Sequence, residues 1–412
     1  MLFIAPALFI VTVGLLSAQL FPILMRLPDL FGGLLPSTSL YLGLRNLARE
    51  SGTYTAPLFL LTLCLCLGAF EASIARSADS WLVDRLRYRA GADFSFYQGV
   101  MTDGPYAGLG QDSWLLPATE YPRLVPEVTD ATRVGSWTAI PLINDSRRIR
   151  LLGIDRLDFA RVAYWRDDYA SEPLGAILNR LGAQRESLLV TDRLLEWYGL
   201  SIGDTIKLDV VMDEGIVEIP FVIAGTFEQW PTMYERTFLV VVANLDYIFD
   251  NVGGAQPHNV WLRTLPDTDQ RTLIENLRNL ARVYPVNEVD SRTLIREDQQ
   301  RLERVGIFGN LTVGFLAGSL LAWLGLLIYT FASLIGRVRR FTVLRAIGLG
   351  LNQVLATLSI EYFIVIVYGV LVGALAGVAT SQLFARYFQF TEDPTIQVPP
   401  FRPEIAWTQI QW

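Results

Sequence analysis

Four long apolar runs divide the chain. Residues 305–336 contain no charged residue, and neither do residues 1–25, 51–70 and 362–385. A helix needs about 20 apolar residues to cross about 30 Å of hydrocarbon. The pattern therefore predicts an α-helical integral membrane protein with four spans, over residues 1–25, 55–76, 305–336 and 356–385.

Basic residues beside the spans indicate their orientation. The third run is followed by four arginines with no acidic residue among them: Arg337, Arg339, Arg340 and Arg345. The loop after the first run has a weaker basic excess: Arg26, Arg45 and Arg49 against Asp29 and Glu50. Basic residues in short loops stay on the cytoplasmic side. Residues 26–54 and 337–355 are thus predicted to be cytoplasmic, and residues 77–304 and 386–412 extracytoplasmic.

The first apolar run has an alternative interpretation as a cleaved signal peptide. It lacks a basic start, its apolar part is longer than a signal-peptide core, and Arg26 follows it. Signal peptides have the opposite charge arrangement, so the pattern favours a membrane helix.

Residues 77–304 have the composition of a soluble domain. They contain 34 acidic and 24 basic residues, a net charge of −10 against −7 for the whole chain. Alternating and helical spacings predict strands near residues 93–97, 205–211, 216–227, 237–242 and 259–262, and helices near residues 173–181, 192–198 and 271–283. We expect an α+β domain of two small subdomains. Its acidic surface argues against nucleic acid or anionic lipid headgroups as ligands.

The segments that flank this domain, residues 71–89 and 292–304, lack glycine and proline. Each could extend its neighbouring span as a helical stalk of roughly 20–30 Å, at about 1.5 Å per residue. Such stalks would transmit tilt like a lever. Ordinary charged surface helices would have the same spacing, so both interpretations stay open.

Residues that usually carry catalysis or bind metals are few. Lys207 is the only lysine, and no glycine-rich phosphate-binding turn precedes it. His258 is the only histidine; beside Asn259, it is predicted to be a surface or satisfied polar residue rather than a metal ligand. Cys64 and Cys66 lie in the second span on different sides of a helix, which favours small apolar packing over a redox pair. We expect no enzymatic activity and no cofactor, with any ATP hydrolysis on a partner.

Glu361 is an acidic residue at the start of the fourth span. An ionisable group among apolar residues is costly and is often functional. Its position soon after the arginines favours an interfacial role, in contact with water or with the basic loop. Proton coupling is the alternative.

Glycines four residues apart mark the last two spans: Gly314 and Gly318 in one, and Gly369, Gly373 and Gly377 in the other. This spacing lets two helices approach closely in lipid. Packing between spans of the chain is favoured over dimerisation, because helices of one chain meet at higher effective concentration.

Four short motifs, in their order along the chain, resemble the FtsX-like (MacB-type) permease family of ABC transporters. They are Leu44-Arg45-Asn46-Leu47-Ala48-Arg49, Gly91-Ala92-Asp93, Gly199-Leu200 with Ile202-Gly203-Asp204, and Leu344-Arg345-Ala346-Ile347-Gly348 followed by Glu361. The resemblance covers nearly the whole chain. It implies a multi-pass protein of the bacterial cell membrane that binds a cytoplasmic ABC ATPase through a coupling helix within residues 337–353. The contact residues would be Arg337, Arg339, Arg340, Arg345, Ala346, Ile347 and Gly348.

A single module of that family has one span, the external domain and then three spans. This chain has an additional span before the domain and two after it. The resemblance therefore implies the C-terminal module of a duplicated permease, with a last span beyond Trp412. Further partners would be a second permease module or homodimer partner, and a periplasmic or cell-surface protein.

Three functions follow as hypotheses. The first is a permease that couples ATP hydrolysis to movement of the external domain, to export or extract an amphiphilic lipid, lipoprotein, peptide or drug. The second is a regulator of a cell-wall hydrolase with the same architecture. The third is an ion-coupled transporter using Glu361 and Glu71, which would need more polar residues within the spans. The arginine cluster favours the first two, because docking an ATPase needs cytoplasmic charge.

Overall fold

The computed structural model describes residues 4–30, 38–98, 115–143, 147–212, 215–234, 238–346, 348, 350–384, 387 and 398–405. The chain divides into two compact units. One, the helical unit, comprises Met1–Trp81, Leu302–Phe390 and Phe401–Trp412. The other, the central domain, comprises Leu82–Arg301 and Thr391–Pro400.

The helical unit is built on long apolar helices. Its elements are α1 (Ile4–Leu30), α2 (Thr38–Glu50), a 3₁₀ turn (Ser51–Tyr54), α3 (Thr55–Ala90), α11 (Leu302–Ala346) and α12 (Leu351–Phe384). Among the described residues, four stretches are long and apolar enough to cross a membrane: Ile4–Arg26, Ser39–Ala90, Thr312–Val338 and Leu351–Phe384. The predicted fold class is confirmed, with membrane-type helices on both sides of an α+β domain.

Helix α2 lies within the segment predicted from sequence only as a loop. Leu47, on its apolar face, is fully buried with Phe21 of α1, Tyr54 and Leu58. On the same helix, a Cβ added at Gly43 would lie 3.3 Å from a side-chain atom of Ile360, so α2 and α12 are in close contact there. The amphipathic pattern of α2 is therefore used to pack it against the long helices.

The structure shows a continuous helix at one of the two predicted stalks and a break at the other. Helix α3 runs without interruption from Thr55 to Ala90, so the first stalk is a continuous helix as predicted. The second prediction is wrong, because α10 (Ser291–Gln300) ends before α11 begins at Leu302. Arg301 between them has extended backbone, with φ −63° and ψ 130°, which breaks the helical hydrogen-bond ladder.

The central domain contains a nine-stranded sheet of order β3-β7-β4-β6-β5-β2-β8-β1-β9 in the described residues. The strands are β1 (Phe94–Gln98), β2 (Val128–Pro141), β3 (Ile149–Ile154), β4 (Ser187–Thr191), β5 (Thr205–Met212), β6 (Gly215–Phe227), β7 (Leu239–Asn244), β8 (His258–Thr264) and β9 (Val286–Asp290). Its other helices are α4 (Tyr121–Leu124), α5 (Arg156–Val162), α6 (Leu174–Leu181), α7 (Asp192–Tyr198), α8 (Leu245–Val252) and α9 (Gln270–Asn279), with a 3₁₀ turn at Ala118–Glu120.

Strand β2 organises the whole domain. Its second half pairs with both β3 and β5, which closes β2, β3, β7, β4, β6 and β5 into a ring. Alternate residues of these strands point inward and form one apolar core, including Leu151, Val190, Leu208, Phe221 and Val241. The ring is therefore a small barrel filled by side chains.

The first half of β2 continues into a second layer. It pairs with β8, and β1 and β9 extend the sheet from there. A separate core under this part includes Phe94, Phe96, Tyr121, Val260 and Leu273. The prediction of two subdomains is wrong in this respect: three apolar clusters occur among the described residues, but each includes residues of β2 and all belong to one compact unit.

Candidate functional site

Glu361 is the centre of a buried polar cluster in the helical unit. Its side chain has no solvent exposure. Arg337 Nη1 donates to Oε2 at 2.7 Å, and the Tyr54 hydroxyl donates to the same oxygen at 2.6 Å. Asn46 Nδ2 donates to Oε1 at 2.8 Å. We call Asn46, Glu50, Tyr54, Arg337 and Glu361 the Glu361 cluster.

Four elements bring these side chains together. Asn46 and Glu50 lie on α2, Tyr54 ends the 3₁₀ turn, and Arg337 and Glu361 lie on α11 and α12. The Arg337 guanidinium carbon is 5.2 Å from the centre of the Tyr54 ring, and Nη2 is 3.5 Å from Glu50 Oε2. The cluster therefore joins α2, α11 and α12 at the residue that directly precedes α3.

The guanidinium of Arg337 lies between the two carboxylates of the cluster, those of Glu361 and Glu50. Removing a carboxylate and a guanidinium from water is costly unless they pair and their remaining hydrogen-bonding groups are satisfied. Glu361 meets this condition through its three donors, and Arg337 lies between Glu361 and the partly exposed Glu50. The hydrogen bonds and ion pairs of the cluster therefore form a non-covalent link between helices.

The sequence marks Glu361 and Arg337 separately and does not show directly that they form a pair. Arg337 is predicted to contact the ATPase, whereas the structure leaves its side chain only 10% exposed and pairs it with Glu361. Tyr54 and Asn46 were not recognised at all, although Asn46 lies in a quoted motif. A useful signal was present, since a lone acidic residue in an apolar run needs a basic partner at a similar depth.

The other predicted contact residues lie at the end of α11 and in the turn that follows. Arg345 and Ala346 are exposed, and Gly348 has a left-handed φ of 107°. Arg339 and Arg340 belong to α11, but their side chains lie outside the described set, as does Ile347. Within residues 337–353, α11 continues to Ala346 and α12 begins at Leu351. The ATPase contact that the resemblance implies for this stretch stays a prediction.

The glycines of α12 face α3 of the same chain. A Cβ added at Gly369, Gly373 or Gly377 would lie 2.5–2.8 Å from Leu61, Leu65 or Ala69. The glycines of α11 differ. A Cβ at Gly314 would lie 3.5 Å from the Glu71 carboxylate, and one at Gly318 would meet no described atom within 4 Å.

Two polar residues of the central domain take structural positions. Lys207 lies on β5, where Nζ is 2.7 Å from Glu218 Oε1 on β6. His258 begins β8 and is only 3% exposed, which excludes a surface position and leaves the other predicted one, a buried polar residue; its Nδ1 lies 2.8 Å from the Gln256 carbonyl oxygen. No group of three or more potential metal ligands occurs among the described residues.

Comparisons with known proteins give one family match and several similar solved structures. Residues 312–407 match the FtsX-like permease C-terminal family model, which confirms the resemblance to that family. A comparison with curated proteins gives no match.

Two solved structures are similar to about half of the chain. The periplasmic region of MacB from Actinobacillus actinomycetemcomitans has 10% identity and a TM-score of 0.31, covering 52% of this chain and 95% of that one. The extracellular domain of the noncanonic ABC-type transporter YknZ from Gram-positive bacteria has 15% identity and a TM-score of 0.30, covering 46% of this chain and 93% of that one.

Proposed function

We propose that this chain is the membrane-spanning permease subunit of an ABC transporter in a bacterial cell membrane. A separate cytoplasmic ATPase drives movement of the central domain, which lies outside the membrane and acts in the export or extraction of an amphiphilic substrate. The match of residues 312–407 to the FtsX-like permease family carries this proposal. The four membrane-type helices that accompany the central domain agree with it.

The Glu361 cluster gives this function a structural route. In the proposal, the ATPase binds the exposed end of α11 and the turn around Gly348. Because Arg337 and Glu361 tie α11 to α12, displacement of that turn moves both helices together. Tyr54 joins the same carboxylate and directly precedes α3, so displacement also reaches α3, which is continuous to Ala90 of the central domain.

This route changes the role of Arg337. A side chain that is buried and paired with Glu361 holds helices together rather than meeting a partner protein. Docking is therefore assigned to Arg339, Arg340 and Arg345. The occupied carboxylate also favours an anchoring role for Glu361 over the transfer of protons, because both of its oxygens already accept hydrogen bonds.

The experiment that tests the proposal is purification of the native, full-length protein from detergent. We expect an ABC ATPase to co-purify and the preparation to hydrolyse ATP in a vanadate-sensitive manner. A matched preparation in which the Walker A lysine of the ATPase is replaced should keep the complex and lose hydrolysis. Absence of any ATPase from the native complex would contradict the proposal and favour a stand-alone regulator or an ion-coupled carrier.

A further inference from the structure

One face of the central domain has an open cleft that the route described above does not use. Its volume is about 390 Å³, within the range of about 300–1,000 Å³ that is typical of small-molecule sites. It lies between the end of α3, the residues after β6, and strands β1, β2, β3, β7, β8 and β9. We call it the sheet cleft.

The floor of the sheet cleft is apolar. Leu152, Val240 and Trp261 line it and belong to a buried core of the domain. Phe238 lies at its edge and is 44% exposed. The cleft thus offers a surface for an apolar chain, with an aromatic ring left partly open to solvent.

The edge of the sheet cleft is basic. Arg89 and Arg150 both line it, and the Arg150 guanidinium carbon is 5.7 Å from the centre of the Phe238 ring. In the described part of the chain, neither arginine has a carboxylate oxygen within 4 Å, whereas Arg133 and Arg166 of the same domain each bond two carboxylates. The sheet cleft thus carries two arginines whose charge no described carboxylate offsets, within a domain of net charge −10.

The wall of the sheet cleft is held in a fixed shape. Thr232 has φ 68°, an outlier for a β-branched residue, and its N–H donates to the Tyr88 carbonyl oxygen at 2.8 Å. Gly91, with φ 79°, allows this approach, because an added Cβ would lie 2.6 Å from Trp261 and 2.9 Å from Thr232. Strained backbone of this kind concentrates at ligand sites.

We propose that the sheet cleft binds an anionic amphiphile. The guanidinium groups of Arg89 and Arg150 bind its phosphate or carboxylate, and its apolar chain lies along Phe238 and Trp261. The overall acidity of the domain argued against anionic headgroups; the arginine pair supplies positive charge for a single anion rather than for a charged membrane surface. The inference rests on the proposed function, since it names the chemical class of the amphiphilic substrate.

The test is a binding titration on the full chain in nanodiscs of neutral phosphatidylcholine, without ATPase or ATP. Dodecyl phosphate is added below its micelle concentration, binding is measured by calorimetry, and the signal of empty nanodiscs is subtracted. We expect Arg89→Gln and Arg150→Gln each to weaken binding by about tenfold, as loss of a charge-assisted hydrogen bond should. Arg193→Gln is the matched control, because its guanidinium carbon lies 5.2 Å from the Trp197 ring centre, away from the cleft; it should change binding less than about twofold.

A second ligand and a further variant test the anionic headgroup and the apolar chain separately. Laurate in place of dodecyl phosphate distinguishes a fatty-acid carboxylate from a phosphate headgroup; tighter binding of either identifies the source. Phe238→Ala should weaken binding of dodecyl phosphate while leaving the folding of the protein unchanged. Equal affinity in the cleft variants and in Arg193→Gln would overturn the proposal, and so would competition by inorganic phosphate at the same concentration as dodecyl phosphate.

The result is independent of the permease assignment, because no ATPase takes part in the titration. If dodecyl phosphate does not bind but an ATPase co-purifies, the ligand site in the sheet cleft is refuted and the permease assignment stands. If dodecyl phosphate binds but no ATPase co-purifies with the native protein, the sheet cleft stands as a ligand site and the permease function is refuted.

Discussion

Arg337 and Glu361 form a buried ion pair, with Nη1 2.7 Å from Oε2, between helices α11 and α12. Tyr54 and Asn46 complete the pair, donating to Glu361 from a segment more than 300 residues before it in sequence. Because both charges are removed from solvent, each is costly to leave without the other. The ion pair therefore makes the arrangement of these helices specific.

Replacing one partner of this pair should destabilise the helical unit more than replacing both. We expect Arg337→Met and Glu361→Met each to cost about 3–5 kcal/mol, and the double variant to cost less than either single one. Tyr54→Phe removes only one hydrogen bond to the carboxylate and should cost about 1.5–3 kcal/mol. The measurement is thermal unfolding of the detergent-solubilised chain. Additive losses in the double variant would show that the pair does not act as a cross-link.

Charge reversal at the end of α11 should separate docking from insertion. The triple variant Arg339→Glu, Arg340→Glu and Arg345→Glu should lose ATPase association, because it replaces basic groups at the proposed contact, while membrane insertion is retained. Co-purification and membrane fractionation measure the two effects.

The matched control for the triple variant carries the same charge change in the central domain. It consists of Arg123→Glu, Arg193→Glu and Arg278→Glu, three exposed positions. This control should retain the ATPase. Unchanged co-purification of the α11 variant, or equal loss in both, would refute the docking assignment.

Sequence patterns predicted the long helices well, because membrane spans depend on local composition. They also located several strands closely: strands predicted at residues 205–211 and 216–227 correspond to β5 and β6. Closure of the barrel could not be predicted, since it requires β2 to pair both with β3, its neighbour in sequence, and with the distant strand β5. The break at Arg301 also escaped prediction, because no glycine or proline marks it.

The candidate site shows the same limit. Glu361 attracted attention through its position in an apolar run, whereas its partner Arg337 was grouped with neighbouring arginines. Local charge patterns do not reveal which face of a helix a side chain occupies once the helices pack. The same pattern of spaced glycines likewise led to different surroundings in α11 and α12.

This difference between the two glycine motifs predicts different responses to one added methyl group. A Cβ at Gly377 would lie 2.5 Å from Ala69 Cβ and 2.8 Å from the Cys66 carbonyl oxygen, so Gly377→Ala should cost about 1–3 kcal/mol through overpacking. Gly318→Ala, with no described atom within 4 Å of its Cβ, should leave stability unchanged or slightly raised. Thermal unfolding in detergent measures both.

Ala69→Gly is the partner variant that tests the cause. Combined with Gly377→Ala, it should restore part of the lost stability by removing one of the two contacts. No recovery would mean that the loss at Gly377 arises elsewhere than at the α3 contact.

His258 should make the central domain sensitive to mild acid. Burial lowers the pKa of His258, and the positive charge of Arg133 lowers it further, against the opposing hydrogen bond to Gln256. The folded domain therefore favours the neutral ring. The unfolded chain, with a histidine pKa of about 6.5, binds the proton first as pH falls. Stability should be fully present above about pH 6.5 and decrease below it, because stability rises with pH where the unfolded state binds more protons.

Denaturant unfolding of the full chain, followed by tryptophan fluorescence at pH 7.5 and 5.5, measures the loss. His258→Gln should reduce the difference between the two pH values, whatever its own stability, and an equal difference in both proteins would assign the acid sensitivity to other groups.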